Sequence, residues 1–181
     1  MKKIICLLFC IFLFVSFTAC KKGKEVIKQN PVEGFAIEGK IPECKYALGD
    51  DPEIIKSDFS KLAEENEENY YYFDEEIDYS VIDNGVNKIF YKTNEKYKGV
   101  SYIVVFDEAY GFSIGTTVND LKKEMTGIQF SVEDLNDENA FFIKSMREGK
   151  VLKYKFSKNT VMFVFDGDRL CATAIYTKDW E

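Results

Sequence analysis

The chain contains no histidine, and this absence excludes several kinds of chemistry. Histidine is the commonest general base, the usual activator of a serine or cysteine nucleophile and the commonest zinc ligand. The sequence also has no glycine-rich loop of the kind that cradles a phosphate. We therefore expect no catalytic residues, no metal site and no cofactor, and we interpret the protein as a non-enzyme.

Acidic residues are the abundant group that could still carry catalysis, and they occur as runs at positions 64–65, 67–68 and 74–76. Such runs are typical of solvated loop surface. Asp166-Gly167-Asp168 lacks the remaining ligands of a calcium loop and indicates a turn. An enzyme that uses paired carboxylates stays the less favoured alternative, and a pair with raised pKa values in a cleft would support it.

Long hydrophobic runs are also scarce. The clear example extends from Ile4 to Phe17. It follows Lys2 and Lys3 and ends in small residues, which is the layout of a secretory signal. The run is shorter than the roughly 20 apolar residues that a membrane-spanning helix needs, and polar residues follow it. We therefore predict a signal peptide over residues 1–19.

The end of this segment resembles the lipobox of bacterial lipoproteins, in which an apolar residue, a small residue and Gly or Ala precede a Cys. Thr18-Ala19-Cys20 fits the pattern, while Phe17 stands where the family prefers Leu. The resemblance implies a diacylglycerol on the Cys20 sulfur and cleavage before Cys20. It also implies a lipid-anchored protein of the cell envelope, on the extracytoplasmic side of a bacterial membrane. An ordinary secreted protein with a coincidental cysteine is the other interpretation.

Positive charge is scarce in the mature part. Once Lys2 and Lys3 leave with the signal, 22 basic residues remain against 31 acidic ones, a net charge of −9. Such a chain repels phosphate backbones, so we expect no nucleic-acid partner. Anionic lipid headgroups are repelled as well, which leaves the lipid on Cys20 as the contact with the membrane.

Cysteine is also rare in the mature part, where Cys44 and Cys171 are the residues besides Cys20. An exported pair permits a disulfide, and in the entropic account of disulfides the long loop that it would close makes the bond strongly stabilising for the fold. Two buried thiols are the alternative.

Residues 20–40 contain Lys, Glu, Asn, Gly and Pro with single apolar residues between them. Pro31, Gly34 and Gly39 punctuate this stretch. We predict a lipidated flexible tether here, in which Phe35-Ala36-Ile37 is the one candidate for a short edge strand.

Four sequence blocks recur in the same order in the remaining chain, which indicates an internal duplication. The matched blocks are residues 48–59 with 114–125, 66–73 with 136–143, 86–94 with 151–159, and 104–107 with 163–166. We therefore predict a first α+β repeat over residues 41–110 and a second over residues 111–181.

Each half begins with a predicted helix. Asp51 suits the N-cap and Pro52 the first helical position, while Thr117 and Asp120 form a capping-box-like pair in a second helix that Gly127 ends. The apolar stripes of the two helices are Ile54, Ile55, Phe59 and Leu62, and Val118, Leu121 and Met125.

Strands are predicted where aromatic and β-branched residues concentrate. The predicted strands are residues 70–73, 86–92, 100–106, 141–145, 152–156, 160–165 and 170–176. Asn84-Gly85 and Asp166-Gly167 are hairpin-type turns. The expected fold class is α+β, with two tandem repeats whose helices pack on one face of a curved antiparallel sheet.

Ile114-Gly115-Thr116-Thr117, Asp120-Leu121 and Gly127 are similar to the signature of lipoproteins in the small outer-membrane assembly protein superfamily. The duplicated arrangement resembles the tandem-repeat β-lactamase-inhibitor-protein-like fold over residues 41–181. Ile128 follows Gly127 where the family commonly has a proline, and the first copy has Asp50-Asp51 in place of the threonines. The resemblance implies binding through an exposed sheet face. No inhibitor-loop residues match, so β-lactamase inhibition is not carried over.

The strands themselves suggest where binding occurs. Alternate residues of a strand covered on one face should be polar, yet several strands here are apolar on both sides. We therefore expect a second cover, which is the tether, a loop, a sister copy or a partner molecule. The favoured interpretation is a module that binds another envelope protein through an aromatic sheet face, and a small-ligand or glycan receptor is the alternative. The candidate contact residues are Tyr71, Phe73, Phe90, Ile103, Val105, Met162 and Val164.

Overall fold

A computed structural model of the protein describes residues 30–66, 70–76, 78–92, 99–143 and 148–178. The predicted signal peptide, Cys20 and tether residues 21–29 lie outside these ranges. The helices are α1 (Pro31–Ile37), α2 (Pro52–Asn66) and α3 (Val118–Glu124). The strands are β1 (Tyr71–Asp74), β2 (Tyr79–Asp83), β3 (Asn87–Tyr91), β4 (Val100–Val105), β5 (Ser131–Asp134), β6 (Gly149–Lys155), β7 (Asn159–Asp166) and β8 (Arg169–Thr177). The protein is of the α+β class, as predicted.

The strands form one antiparallel sheet of eight in the order β1-β2-β3-β4-β8-β7-β6-β5. Strands that are consecutive in the chain pair within β1–β4 and within β5–β8. β4 and β8 join the two runs, with Tyr102 opposite Tyr176 and Val104 opposite Ala174. β1 and β5 are therefore the end strands of the sheet.

Hydrophobic side chains form two separate buried clusters. In β4, Ile103 and Val105 belong to the first cluster, whereas Tyr102 and Val104 belong to the second. Successive side chains of a strand point to opposite faces, so the two clusters lie on opposite faces of the sheet. The expectation that the central strands are apolar on both faces is confirmed.

The first cluster includes side chains from helices as well as strands. Val32 of α1, Ile55 and Phe59 of α2, and Leu121 of α3 are all buried in it. Ile54 is exposed, so the apolar stripe of α2 is narrower than predicted. The side chain of Leu62, also assigned to that stripe, lies outside the described part.

Both predicted helix starts are confirmed by their capping bonds. The backbone N–H of Glu53 donates to Asp51 Oδ1 at 3.0 Å. In the second, the N–H of Asp120 donates to Thr117 Oγ1 at 3.2 Å, and this hydroxyl donates to the Asp120 carboxylate at 2.7 Å. A side-chain acceptor at the N-cap satisfies an N–H group that has no partner within the helix, which is why these residues place the helix starts.

The second cluster is covered by the loop at residues 135–143. Ala140 and Phe142 are buried in it, and the Phe141 ring packs edge-on against Phe90 and Tyr102 at centroid distances of 5.3 and 5.5 Å. This is the loop cover among the expected alternatives. The predicted strand over residues 141–145 is wrong, because residues 141–142 lie in a turn, while residues 144 and 145 are outside the described part.

Part of the predicted tether, Pro31–Ile37, is a helix instead. Asn30 caps α1 by accepting a bond from the N–H of Val32 at 2.9 Å, and Val32 and Ala36 are buried. The Asn159 side-chain amide of β7 donates to the Ala36 carbonyl at 2.8 Å. Val32 and Ala36 are spaced four residues apart, so they share one helical face that can pack on the sheet. The edge strand expected at residues 35–37 is therefore wrong.

Two strands were missed, namely β2 and β5, and this changes which blocks correspond. The block at residues 86–94 covers β3, the third strand of its run, whereas its match at 151–159 covers most of β6, the second strand of the other run. The blocks at 104–107 and 163–166 likewise fall on β4 and β7. These two block matches therefore pair a third strand with a second strand, and a fourth strand with a third strand. They do not pair strands at equivalent positions in the two halves of the sheet.

Candidate functional site

Five of the seven predicted contact residues are buried and do not form an exposed sheet face. They are Phe90, Ile103, Val105, Met162 and Val164. Ile103 and Val105 belong to the first cluster, whereas the other three belong to the second. The predicted aromatic sheet face is wrong for these five residues, because other parts of the chain already cover both faces.

The two remaining predicted residues lie on the end strand β1 and are exposed. Tyr71 is 46% exposed and Phe73 57%, and Tyr72 between them is 44% exposed. Three consecutive aromatic side chains project from both sides of β1, since alternate residues of a strand point in opposite directions. Tyr72 was missed because the prediction chose one face of the strand, and Tyr72 points to the opposite face from Tyr71 and Phe73. We call Tyr71, Tyr72 and Phe73 the aromatic strand.

The surroundings of the aromatic strand are acidic. Residues 62–87 contain no Lys or Arg. Asp78 and Asp83 pair with Lys92 and Lys88 of the β3 side at 3.1 and 3.2 Å, whereas Glu75 and Glu76 directly after β1 are exposed. The pKa of Tyr72 is raised by burial first and then by the charges of Asp83 and Asp74. The end of the sheet at β1 therefore carries negative charge beside aromatic surface.

A pocket on the second-cluster face was not predicted. Its volume is about 350 Å³. Its lining residues come from β4–β8 and from the loop at 135–143, and they are Tyr102, Glu133, Asn136, Glu138, Asn139, Phe141, Lys153, Met162 and Tyr176. No local sequence pattern indicates it, because it forms only when the loop packs on strands that are distant in the chain.

One side of this pocket is aromatic and apolar. Tyr102 and Tyr176 stack with ring centroids 5.0 Å apart and planes 4° apart. Met162 is buried beside them, and Phe141 is half-buried. Burial, and then the charge of Tyr176, hold the pKa of Tyr102 well above its ordinary value, so its phenol stays protonated.

The opposite side of the pocket is polar. Lys153 Nζ lies 2.7 Å from a Glu133 oxygen. Burial raises the pKa of Glu133, but the hydrogen bond and the charge of Lys153 outweigh it, and the net shift is downward. Asn139 donates to the Asp134 carbonyl at 2.9 Å and so fixes the loop beside β5. Glu138 in the same loop is exposed.

Cys44 and Cys171 are not joined in a disulfide. Cys44 is buried in the first cluster, whereas Cys171 packs against the second, so the sheet separates them. Burial raises the pKa of both thiols, that of Cys171 to about 11. The structure therefore agrees with the alternative of two free thiols. The disulfide suggested between Cys44 and Cys171 is wrong.

Cys20, the predicted lipidation site, lies outside the described residues. In the part of the chain that the structure describes, no helix is long and apolar enough to cross a membrane, and no three Cys, Asp or Glu side chains gather as a metal site. Comparisons of the chain with models of protein families, with curated proteins and with solved structures find no match. The resemblance to envelope lipoproteins therefore stays a prediction.

Proposed function

We propose that the protein is a non-enzymatic binding module of the cell envelope, anchored to a membrane by lipid on Cys20 and binding another envelope protein through the aromatic strand. The anchor places the module on the extracytoplasmic side. The observation that carries the proposal is the exposure of Tyr71, Tyr72 and Phe73 together on one end strand.

Aromatic side chains supply much of the binding energy at protein interfaces, because each buries a large area with little loss of conformational freedom. An end strand of a sheet is also a common docking place for an extended segment of a partner. Native proteins usually blunt such strands with charge or with proline. Here the first three of the four positions of the strand are aromatic instead, which favours binding as their role.

Charge complementarity points to a basic partner segment. Glu75 and Glu76 are exposed directly after β1, and basic residues are missing from positions 62–87. Lys or Arg side chains on the partner would gain favourable interactions at this end of the sheet and would be steered towards it. An acidic partner segment would be repelled.

We further propose that the sheet consists of two tandem repeats, residues 41–110 and 111–181, with helices packed on one face. Gly49 has φ of +89° and donates its N–H to the Val100 carbonyl at 2.7 Å. Gly115 has φ of +91° and donates its N–H to the Leu170 carbonyl, also at 2.7 Å. Each glycine precedes the helix of its half and bonds to the start of the fourth strand of that half, as equivalent positions of a duplication would.

A site-specific crosslinking experiment in cells tests the partner site. A photoreactive phenylalanine derivative replaces Phe73, and the matched control replaces Val132, which is 46% exposed on the other end strand β5. We expect a discrete crosslinked product from position 73 and none from 132, with the crosslink falling on a partner segment rich in Lys or Arg. Equal products from both positions, or products only with the lipoprotein-processing machinery, would contradict the proposal.

Charge reversal sharpens this experiment. Glu75→Lys next to the aromatic strand should weaken crosslinking at position 73, because it repels a basic segment. Asp134→Lys at the end of β5 is the matched control, since Asp134 is also exposed. We expect it to leave the product unchanged, and an increase in product with Glu75→Lys would mean that the partner segment is not basic.

The anchor is tested separately. Inhibition of lipoprotein signal peptidase should make the unprocessed chain accumulate, and Cys20→Ser should release the protein from membranes on fractionation. A Cys20→Ser protein that still sediments with membranes would contradict lipid anchoring through this residue.

A further inference from the structure

The pocket on the second-cluster face has the size of a site for one small ring. Its volume of about 350 Å³ lies near the lower end of the range of about 300–1,000 Å³ that is usual for small-molecule sites. It lies away from the aromatic strand, since its lining residues come from β4–β8 and the loop at 135–143, and none comes from β1.

The lining combines an apolar side with a polar side. Tyr102, Phe141, Met162 and Tyr176 form the apolar side, and the half-buried Phe141 ring still offers aromatic surface to a ligand. The polar side carries the ammonium of Lys153 as a donor, carboxylates as acceptors and the side-chain amides of the loop as both. A ligand that fits this lining has an apolar face and an edge of groups that both donate and accept hydrogen bonds.

The charges argue for an uncharged ligand. Glu133 and Lys153 already pair at 2.7 Å, so neither charge needs a counter-charge from a ligand. Glu138 adds a further carboxylate on the lining, which disfavours a ligand that carries phosphate or carboxylate. A small cation would gain little, because the Glu133 carboxylate is already paired and Glu138 is exposed, where the attraction between charges is weak.

We propose that this pocket binds one uncharged sugar ring, whose C–H face packs against Phe141 and whose hydroxyls bond to Glu138 and Lys153. Hydroxyl groups donate and accept, so a sugar can donate to the carboxylate and accept from the ammonium at once. Aromatic surface beside such groups suits a ring with one apolar face. The site is independent of the partner site proposed on β1.

Methionine methyl groups give a direct readout in the full mature chain. Met162 lines the pocket, whereas Met125 lies in the first cluster on the other face of the sheet. With 13C-labelled methionine methyls, titration with glucose, galactose and N-acetylglucosamine should shift the Met162 signal in a saturable way. The Met125 signal should stay in place and serves as the internal control.

Choline and acetate are the charged comparison probes, and neither should move the Met162 signal. Glu138→Gln should lower the affinity for the responding sugar by about tenfold, because a hydrogen bond to a charged group is lost. Asp137→Asn is the matched control, since Asp137 is an exposed neighbour in the same turn that does not line the pocket. It should leave the affinity unchanged.

Three results would overturn this inference. They are the absence of a saturable Met162 shift with all three sugars, an equal shift with choline, and an equal loss of affinity in Glu138→Gln and Asp137→Asn. Replacement of Phe73 by Ser on β1 should not alter sugar binding, so failure of the sugar site and failure of the partner site can be told apart.

Discussion

Tyr102 of β4 and Tyr176 of β8 stack face to face across the junction of the two four-strand runs, with ring centroids 5.0 Å apart. Both rings are buried, and Phe141 and Phe142 of the covering loop pack on Tyr102 at 5.5 and 6.0 Å. The pair therefore links three parts of the protein, namely β1–β4, β5–β8 and the loop.

Truncation of this pair should destabilise the whole sheet. We expect Tyr176→Ala to lower the free energy of unfolding by about 3–5 kcal/mol, because it leaves a cavity at the centre of the second cluster. Tyr176→Phe keeps the ring and is the control, with a much smaller loss. Urea unfolding followed by circular dichroism measures both. Equal losses in the two variants would show that the stacked ring contributes little.

The two glycines before α2 and α3 should respond alike to substitution. Gly49→Ala and Gly115→Ala should each lower the free energy of unfolding by about 1–2 kcal/mol, because both have positive φ. No atom lies within 4 Å of the Cβ that either substitution adds, so the loss is one of backbone conformation.

Gly34 within α1 is the control for this pair, since its added Cβ also meets open space and its φ is not positive. Gly34→Ala should stabilise the protein by about 0.5–1 kcal/mol. Thermal unfolding of the three variants makes the comparison. A neutral result at either Gly49 or Gly115 would count against equivalent roles in two repeats.

Glu133 and Lys153 predict an acid-sensitive contribution to stability. The folded-state pKa of Glu133 lies below its ordinary value of 4.5, so the folded protein binds fewer protons there than the unfolded chain. The contribution of the pair is therefore present above pH 4.5 and is lost as the pH falls through the folded-state pKa.

Lys153→Met removes the ammonium and tests this prediction. The difference in unfolding temperature between the natural protein and the variant should shrink as the pH falls below 4.5. Lys150→Met on the same strand is the control, since Lys150 is exposed. A difference that does not change with pH would mean that the ion pair does not stabilise the fold.

Short-range signals in the sequence predicted much of the fold. The starts of α2 and α3 follow from Asp51 and Thr117, whose side chains accept from N–H groups within the next three residues. β3, β4, β6, β7 and β8 follow from runs of aromatic and β-branched residues. These features depend on neighbours in the chain, so one sequence is enough to see them.

Long-range packing accounts for what was missed. β5 contains Ser131, Glu133 and Asp134, which have low intrinsic preference for strands, and it forms because β6 offers a pairing edge. Phe141 and Phe142 look like strand residues but pack as a loop on Tyr102. The location of the candidate site depended on which segments of the chain cover each face of the sheet. A strand sequence that is apolar on both sides does not indicate which segments these are. Phe90 and Val164 were therefore predicted to be exposed although they are buried. Tyr71 and Phe73 are exposed because they lie on the end strand β1.

The docking of α1 on β7 sets how far the module can reach. With α1 held by Asn159, the segment between Cys20 and Asn30 has nine residues, and the ten chain steps from Cys20 to Asn30 span at most about 36 Å when fully extended. If Cys20 carries the lipid, the start of α1 stays within that height of the bilayer surface. Any molecule it captures must then either be embedded in the same membrane or extend to within a few nanometres of it.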